Sequence, residues 1–162
     1  MAMDQFIHFK SKIEGETKDK AMKDKKAIDV LAWSWGESNS GTFGTGGGGG
    51  AGKVNMQNLS FTHYIDKATT GLLLHCANGA HIEEATLTVR KAGGKQEKYL
   101  VVTMSPVMIT SVSTGGSGGE DRLTENVTLD FAKLKVEYFL QDEKGETKAG
   151  GTFTWNRETN TA

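Results

Sequence analysis

The sequence predicts a mainly β fold: a closed β-barrel of two packed antiparallel sheets, with one short α-helix and extended glycine-rich loops. Three observations predict it. Apolar and polar residues alternate over long segments such as Val54–Tyr64 and Asn126–Tyr138, and a period of two puts one set on each face of a strand. One segment alone, Asp66–Ala77, carries apolar residues at helical spacing. The 21 glycines gather mainly in two clusters, Gly41–Gly52 and Gly115–Gly119, and each lies between two strand-like segments. A chain of 162 residues fits one domain, spanning 1–162.

Each element follows from its own pattern. Gln5–Lys10 reads as the first strand and Ile28–Trp35 as the second. In the second, Trp33 and Trp35 share a face and are bulky enough to take the barrel interior, so Ala32 and Ser34 point the other way. In Val54–Tyr64 the apolar parity changes between Met56 and Leu59, which predicts a β-bulge near Asn58. The same change between Phe131 and Leu134 predicts a bulge near Ala132–Lys133. In the helix, Asp66 is the expected N-cap and Asn78-Gly79 the stop, with Ile65, Ala68, Leu72, Leu73 and Cys76 on the packed face. Gly71 costs that helix about 1 kcal/mol relative to alanine, so packing must hold it. Ala85–Lys91 and Glu97–Met104 form a hairpin around Ala92–Lys95. Pro106, the only proline, is expected to interrupt pairing or sit at a bulge. Thr152–Asn156 is a last strand with Phe153 and Trp155 inward.

Composition narrows the function classes. The net charge of −1 gives no electrostatic reason to expect nucleic acid or an anionic membrane as a partner. Lysines and acids interleave in Lys18–Lys26, the pattern of a solvated loop. A single cysteine, Cys76, rules out an internal disulfide. The first residues lack a basic segment followed by a long apolar one, so synthesis in the cytoplasm without a signal peptide is expected, and no transmembrane span.

Both glycine clusters imitate enzymes. Gly47, Gly52 and Lys53 stand at the spacing of a phosphate-binding loop, but Val54 replaces the Ser or Thr that holds Mg²⁺, and a strand follows where the motif needs a helix. Gly115-Gly116-Ser117-Gly118-Gly119 matches the nucleophile elbow by letter. That motif also needs a following helix and a later histidine, and His8, His63, His75 and His81 all precede Ser117. His75, Cys76 and His81 lack the repeated ligand pairs of a zinc site. The expectation is therefore no catalytic residue, no cofactor and no metal, with a Ser117-based hydrolase as the outside alternative.

Four stretches carry a family resemblance: Ala27–Gly36 (AIDVLAWSWG), Gly46–Asn55 (GGGGGAGKVN), Leu59–Lys67 (LSFTHYIDK) and Val112–Leu129 (VSTGGSGGEDRLTENVTL). Together they resemble the haemolysin-coregulated protein (Hcp) family, the tube subunit of type VI secretion. They span most of the chain, in the family's order; Glu16–Lys26 and Leu140–Ala162 match least. The resemblance implies a β-barrel subunit with one helix that assembles into homohexameric rings. It implies that rings stack into a tube expelled by a contractile sheath, with a VgrG-type spike at the tip and effector proteins in the lumen. It implies secretion through that system. An export-chaperone ring for effectors, without a main tube role, is the alternative within the same machinery.

Two groups of site residues follow. Gly46, Gly47, Gly48, Gly49 and Gly50, with Gly115, Gly116, Gly118 and Gly119, are expected at subunit or ring–ring contacts; the other reading of the first run is a mobile loop. Ser34, Ala32 and Ser117 are expected to face cargo in the ring lumen, against ordinary solvent exposure as the alternative. Parity directs Ala32 and Ser34; nothing comparable directs Ser117, which lies in a loop.

Overall fold

The computed structural model describes residues 2–44, 50, 52–93 and 95–162. Its elements in chain order are β1 (Met3–Phe9), β2 (Ile28–Asp29), β3 (Ala32–Ser34), β4 (Glu37–Ser38), β5 (Asn55–Met56), β6 (Leu59–Tyr64), α1 (Thr69–Asn78), β7 (Ala85–Lys91), β8 (Lys98–Thr114), β9 (Thr124–Gln141) and β10 (Thr147–Asn156), with a 3₁₀ turn at Lys23–Lys25. The fold is mainly β with one helix. The expected arrangement of two packed sheets is corrected: eight strands form one antiparallel sheet in the order β2-β1-β7-β8-β9-β6-β3, with β10 added to β9, and β4 pairs only with β5 in a small ribbon.

That sheet curls but does not close as a continuous ladder. Its two ends, β2 and β3, are successive pieces of one segment. Val30 N donates to Gln5 O of β1 at 2.9 Å, and the next residue, Leu31, donates from its N to Thr62 O of β6 at 2.8 Å. The chain thus steps from one end of the sheet to the other between adjacent residues. This break also splits the expected strand Ile28–Trp35. Ile28 and Val30 are buried on the first side, then Trp33 and Trp35 pack half-buried against the core on the second. Ala32 and Ser34 point outward, as their parity requires.

The interior is filled by alternate residues of the long strands. Leu59 and Phe61 of β6, Val127 and Leu129 of β9, and Leu87 and Met104 of β7 and β8 are all buried in one cluster. The two predicted bulges are corrected. The parity change after Met56 is a break between β5 and β6, which belong to different sheets. The change near Ala132–Lys133 is real, but the ladder from Ser105↔Lys133 to Val107↔Phe131 stays in register. Both strands bend together there: Met104 and Leu134 are inward before the bend, Val107 and Phe131 after it. At this bend β9 exchanges neighbours, from β6 (ending at Leu129) to β10 (beginning at Lys133). Pro106 lies in the bend, within β8 and exposed, after a cis peptide bond. The register shifts fall elsewhere, at Ile109/Ser111, Val89/Arg90 and Ala149/Gly151. Gly150 supplies the last one, because a Cβ there would stand 2.7 Å from the Tyr138 ring.

The helix begins later than expected. Asp66 closes the preceding turn: its Oδ1 accepts from Ala68 N at 2.8 Å and its carbonyl from Thr69 N at 3.1 Å. The stop is as read, with Gly79 at φ 66° in the left-handed region that glycine tolerates. Leu72 is fully buried and Cys76 packs on the core, whereas Leu73 lies 44% exposed, off the expected packed face. Gly71 meets Ile13, whose Cγ1 would be 3.3 Å from an added Cβ. Ile13, part of the main core, belongs to a strap, residues 10–27, that is tied to β7 through Asp19 and Arg90. Phe6 of β1 forms a small second cluster with Met22 and Ala27 of the strap. Asp19 is no solvated lysine-loop residue: both its oxygens bond the buried Arg90 guanidinium, which also lies 4.8 Å over the Phe6 ring.

Candidate assembly and passage face

Antiparallel register turns strand parity into a surface. On the outward side of β3, β6, β9 and β8, one row runs Ala32, Thr62, Asn126, Ser113. The next runs Ser34, Ser60, Thr128, Ser111. No position in either row is charged, and none is larger than Asn. Two cross-strand bonds tie the rows internally: Thr62 Oγ1 donates to Asn126 Oδ1 at 2.5 Å, and the hydroxyls of Ser60 and Thr128 lie 3.1 Å apart. The result is a face of small, neutral, polar groups.

Ser117 adjoins this face through the β8–β9 loop. A shallow cavity of about 400 Å³ is lined by Ser113, Asn126 and Ser117 together. Ala32, Ser34 and Ser117 therefore belong to one continuous side of the sheet. Ser60, Thr62, Ser111, Ser113, Asn126 and Thr128 also belong to it and were not singled out from the sequence. Their signal was present as alternation in Leu59-Ser60-Phe61-Thr62 and Asn126-Val127-Thr128-Leu129.

The described glycines of both clusters lie in connections between strands. The β4–β5 ribbon continues past its ladder: Asn39 Nδ2 donates to Gly52 O at 2.7 Å, and Thr42 Oγ1 to Gly50 O at 2.6 Å. Phe43, beyond that last link, is 92% exposed. Gly46, Gly47, Gly48 and Gly49 lie outside the described residues. Gly115, Gly116, Gly118 and Gly119 are all exposed. Of these, Gly116 packs closest, where a Cβ would meet Leu123 Cδ2 at 2.5 Å.

The enzyme-like motifs sit in strand-to-strand connections. Lys53 leads into β5, and Ser117 lies between β8 and β9. Ser117 Oγ accepts from Gly119 N at 3.3 Å, a bond that merely tightens its own loop. His75 Nδ1 lies 2.8 Å from the carbonyl of Gly71, one helical turn earlier. Among the described residues, no group of three or more His, Cys, Asp or Glu side chains is placed to hold a metal ion, and no helix is long and apolar enough to cross a membrane.

One polar cluster lies inside the curl, under the neutral rows. His63 and Glu125 are register partners, both wholly buried, with Nε2 and Oε1 2.7 Å apart. The Thr69 hydroxyl donates to the same Oε1 at 2.9 Å. A carboxylate at the centre, with no exposed nucleophile, is an internal tie between β6, β9 and α1. Sequence reading missed it because the two partners stand far apart in the chain and neither looks unusual alone.

Comparison with known proteins agrees with this architecture. The family described as "Type VI secretion system effector, Hcp" matches residues 6–138. Protein hcp1 of Pseudomonas aeruginosa is 54% identical over 158 residues, covering 96% of each chain. Among solved structures, a type six secretion system protein superposes with a TM-score of 0.87 at 30% identity, covering 99% of both chains. Hcp1 from Salmonella typhimurium gives a TM-score of 0.78 at 37% identity, again covering 99% of both. A match over most of the chain, joined to the same curled sheet and single helix, makes this protein a member of the Hcp family of type VI secretion proteins, which are structural and carrier proteins and not enzymes.

Proposed function

We propose that the chain is the ring-forming tube subunit of a type VI secretion system, with the β3-β6-β9-β8 face lining the ring's central passage. Six copies form a ring, rings stack, and effector proteins travel inside. The observation that carries this reading is the pair of neutral rows through Ala32 and Ser34. A passage that must hold a folded cargo and then release it is best lined by small groups that bond weakly and carry no charge. Charged walls would bind cargo of one sign tightly and repel the other. The glycine run Gly46–Gly50, whose one described member Gly50 is exposed, the exposed Gly115–Gly119 and the projecting Phe43 suit contacts between copies. A contractile sheath and a VgrG-type spike are the remaining partners of such a tube.

Electron microscopy of the purified protein tests the architecture: six-membered rings with an open centre are expected, and solely monomeric particles would refute it. Replacing Ser34 with Gln tests the passage. The ring should persist while co-purified effector falls several-fold, because the longer side chain narrows the space available to cargo. Broken rings with normal effector binding would instead place Ser34 at an assembly contact. Effector retained by rings that fail to stack would favour the export-chaperone reading.

A further inference from the structure

The buried cluster contains an unsolved hydrogen-bonding problem. Glu125 Oε1 receives two groups, His63 Nε2 and the Thr69 hydroxyl. Nε2 donating to Oε1 leaves the second Glu125 oxygen, Oε2, buried without a hydrogen-bond partner. The other ring nitrogen, Nδ1, is buried and has no hydrogen-bond partner. The atom facing it is Asp66 Oδ2, 3.8 Å away, on a side chain that is 9% exposed. The second Asp66 oxygen is already engaged, accepting from Ala68 N. With a neutral ring and an ionised Asp66, two lone pairs would confront each other away from water. That arrangement leaves a buried acceptor unsatisfied and adds repulsion.

We propose that Asp66, whose Oδ2 faces His63 Nδ1 at 3.8 Å, is held protonated there, and that this neutral carboxyl seats the N-terminal turn of α1 on the sheet. The turn is built for such control. Asp66 N donates to Thr69 Oγ1 at 3.2 Å, and Thr69 in turn bonds Glu125, so a shift of Asp66 is passed to the first residue of α1. Losing the proton makes Asp66 an anion facing the Nδ1 lone pair and pushes the turn away from β6. The device is local and needs no movement of the sheet.

The surrounding charges set its direction. Glu125 faces the site from β9, and Glu16 from the strap, where its Oε1 accepts from Lys67 N at 2.6 Å. Lys18, Asp29, Tyr64 and Arg122 border the adjoining polar cavity with Asp66 and Glu16. Burial, first, and the two glutamates, less, push the Asp66 carboxyl above its ordinary range, against the Ala68 N–H and His63. A carboxyl raised in the folded state binds its proton more tightly there than in the unfolded chain. Its protonation therefore stabilises the seat below the folded-state pKa, and that contribution fades as pH rises through it.

Hydrogen exchange resolved to single amides tests this in the intact protein. Protection of Thr69–Leu72, corrected for intrinsic exchange and referred to the core amide of Leu129, should fall roughly three- to tenfold between about pH 4.5 and 8. Asp66→Asn supplies a permanent N–H toward Nδ1 while its carbonyl still accepts from Ala68 N. Its helix should stay protected across the range. In the unaltered protein, the carboxyl resonance of Asp66 should move over the same pH range in which that protection falls. Flat protection in the unaltered protein, unchanged pH dependence in Asp66→Asn, or an Asp66 resonance that moves over a different pH range from the protection would each overturn the proposal.

Discussion

Gly15→Ala should destabilise the fold by about 2–3 kcal/mol, although a glycine-to-alanine change is ordinarily favourable. Gly15 lies in the strap, buried, where its N–H donates to Lys26 O at 2.8 Å. A Cβ added there would overlap Ala27 O and stand 2.5 Å from Ala27 C and 2.7 Å from Ile28 Cγ1. Ordinary contact begins near 3.4 Å, so two backbone segments would have to part by about 1 Å. Parting stretches the Gly15–Lys26 bond and the neighbouring Thr17 N to Ala27 O bond of 3.2 Å, each worth about 1 kcal/mol. Overpacking adds roughly 1–3 kcal/mol, and the stiffer unfolded chain returns about 0.4–1 kcal/mol. Urea titration should show a lower midpoint with unchanged slope. In a chain of this size the melting temperature should fall by about 5–10 °C. Gly118→Ala is the control: no atom lies within 4 Å of its Cβ, so stability should stay within about 0.5 kcal/mol. Equal stability of the two variants would refute the packing argument.

Asp19→Asn should weaken the strap's hold near neutral pH. The Arg90 guanidinium, bonded to Asp19, holds its carboxyl below the ordinary range, with desolvation opposing. A depressed folded-state pKa gives stability above the unfolded value that is lost as pH falls through the folded one, so the gap between the variant and the unaltered protein should narrow in acid. Urea midpoints at several pH values check this, and a gap that is constant with pH would contradict it. Deleting Gly46–Gly50 should reduce ring stacking several-fold in sedimentation or microscopy while moving the melting temperature by less than about 3 °C. Unchanged stacking would remove these glycines from the proposed contacts.

Strand parity is a good guide wherever a strand stays in one sheet. β6 and β9 present Leu59, Phe61, Val127 and Leu129 inward as their alternation demands. The β7–β8 hairpin and the Gly79 stop are equally legible, since each is decided by a few neighbouring residues. Parity fails where one segment serves two neighbours. Ile28–Trp35 is apolar on both sides because it buries Val30 against one end of the sheet and Trp33 against the other. Nothing local marks the step between Val30 and Leu31. The first half of β10 escapes for another reason. Thr147–Gly151 lacks large apolar residues, yet it pairs with β9, because ladder bonds come from the backbone and an edge strand need not bury side chains.

The candidate face shows the same division between local and distant information. Ala32 and Ser34 could be directed outward from two tryptophans beside them. Their neighbours in the rows come from β6, β8 and β9, and only register across four strands reveals that eight small neutral side chains meet. Ser117 has no parity at all; it joins the face because β8 and β9 are long enough to carry their connecting loop to its border. The same register sends His63 and Glu125 inward from the strands whose outward residues are Thr62 and Asn126. Where these two strands pair, over Leu59–Tyr64 and Thr124–Leu129, charge is thus confined to the buried side, where His63 and Glu125 hold each other. The outward rows remain neutral, and a ring lined by them would exert no fixed field on what passes through.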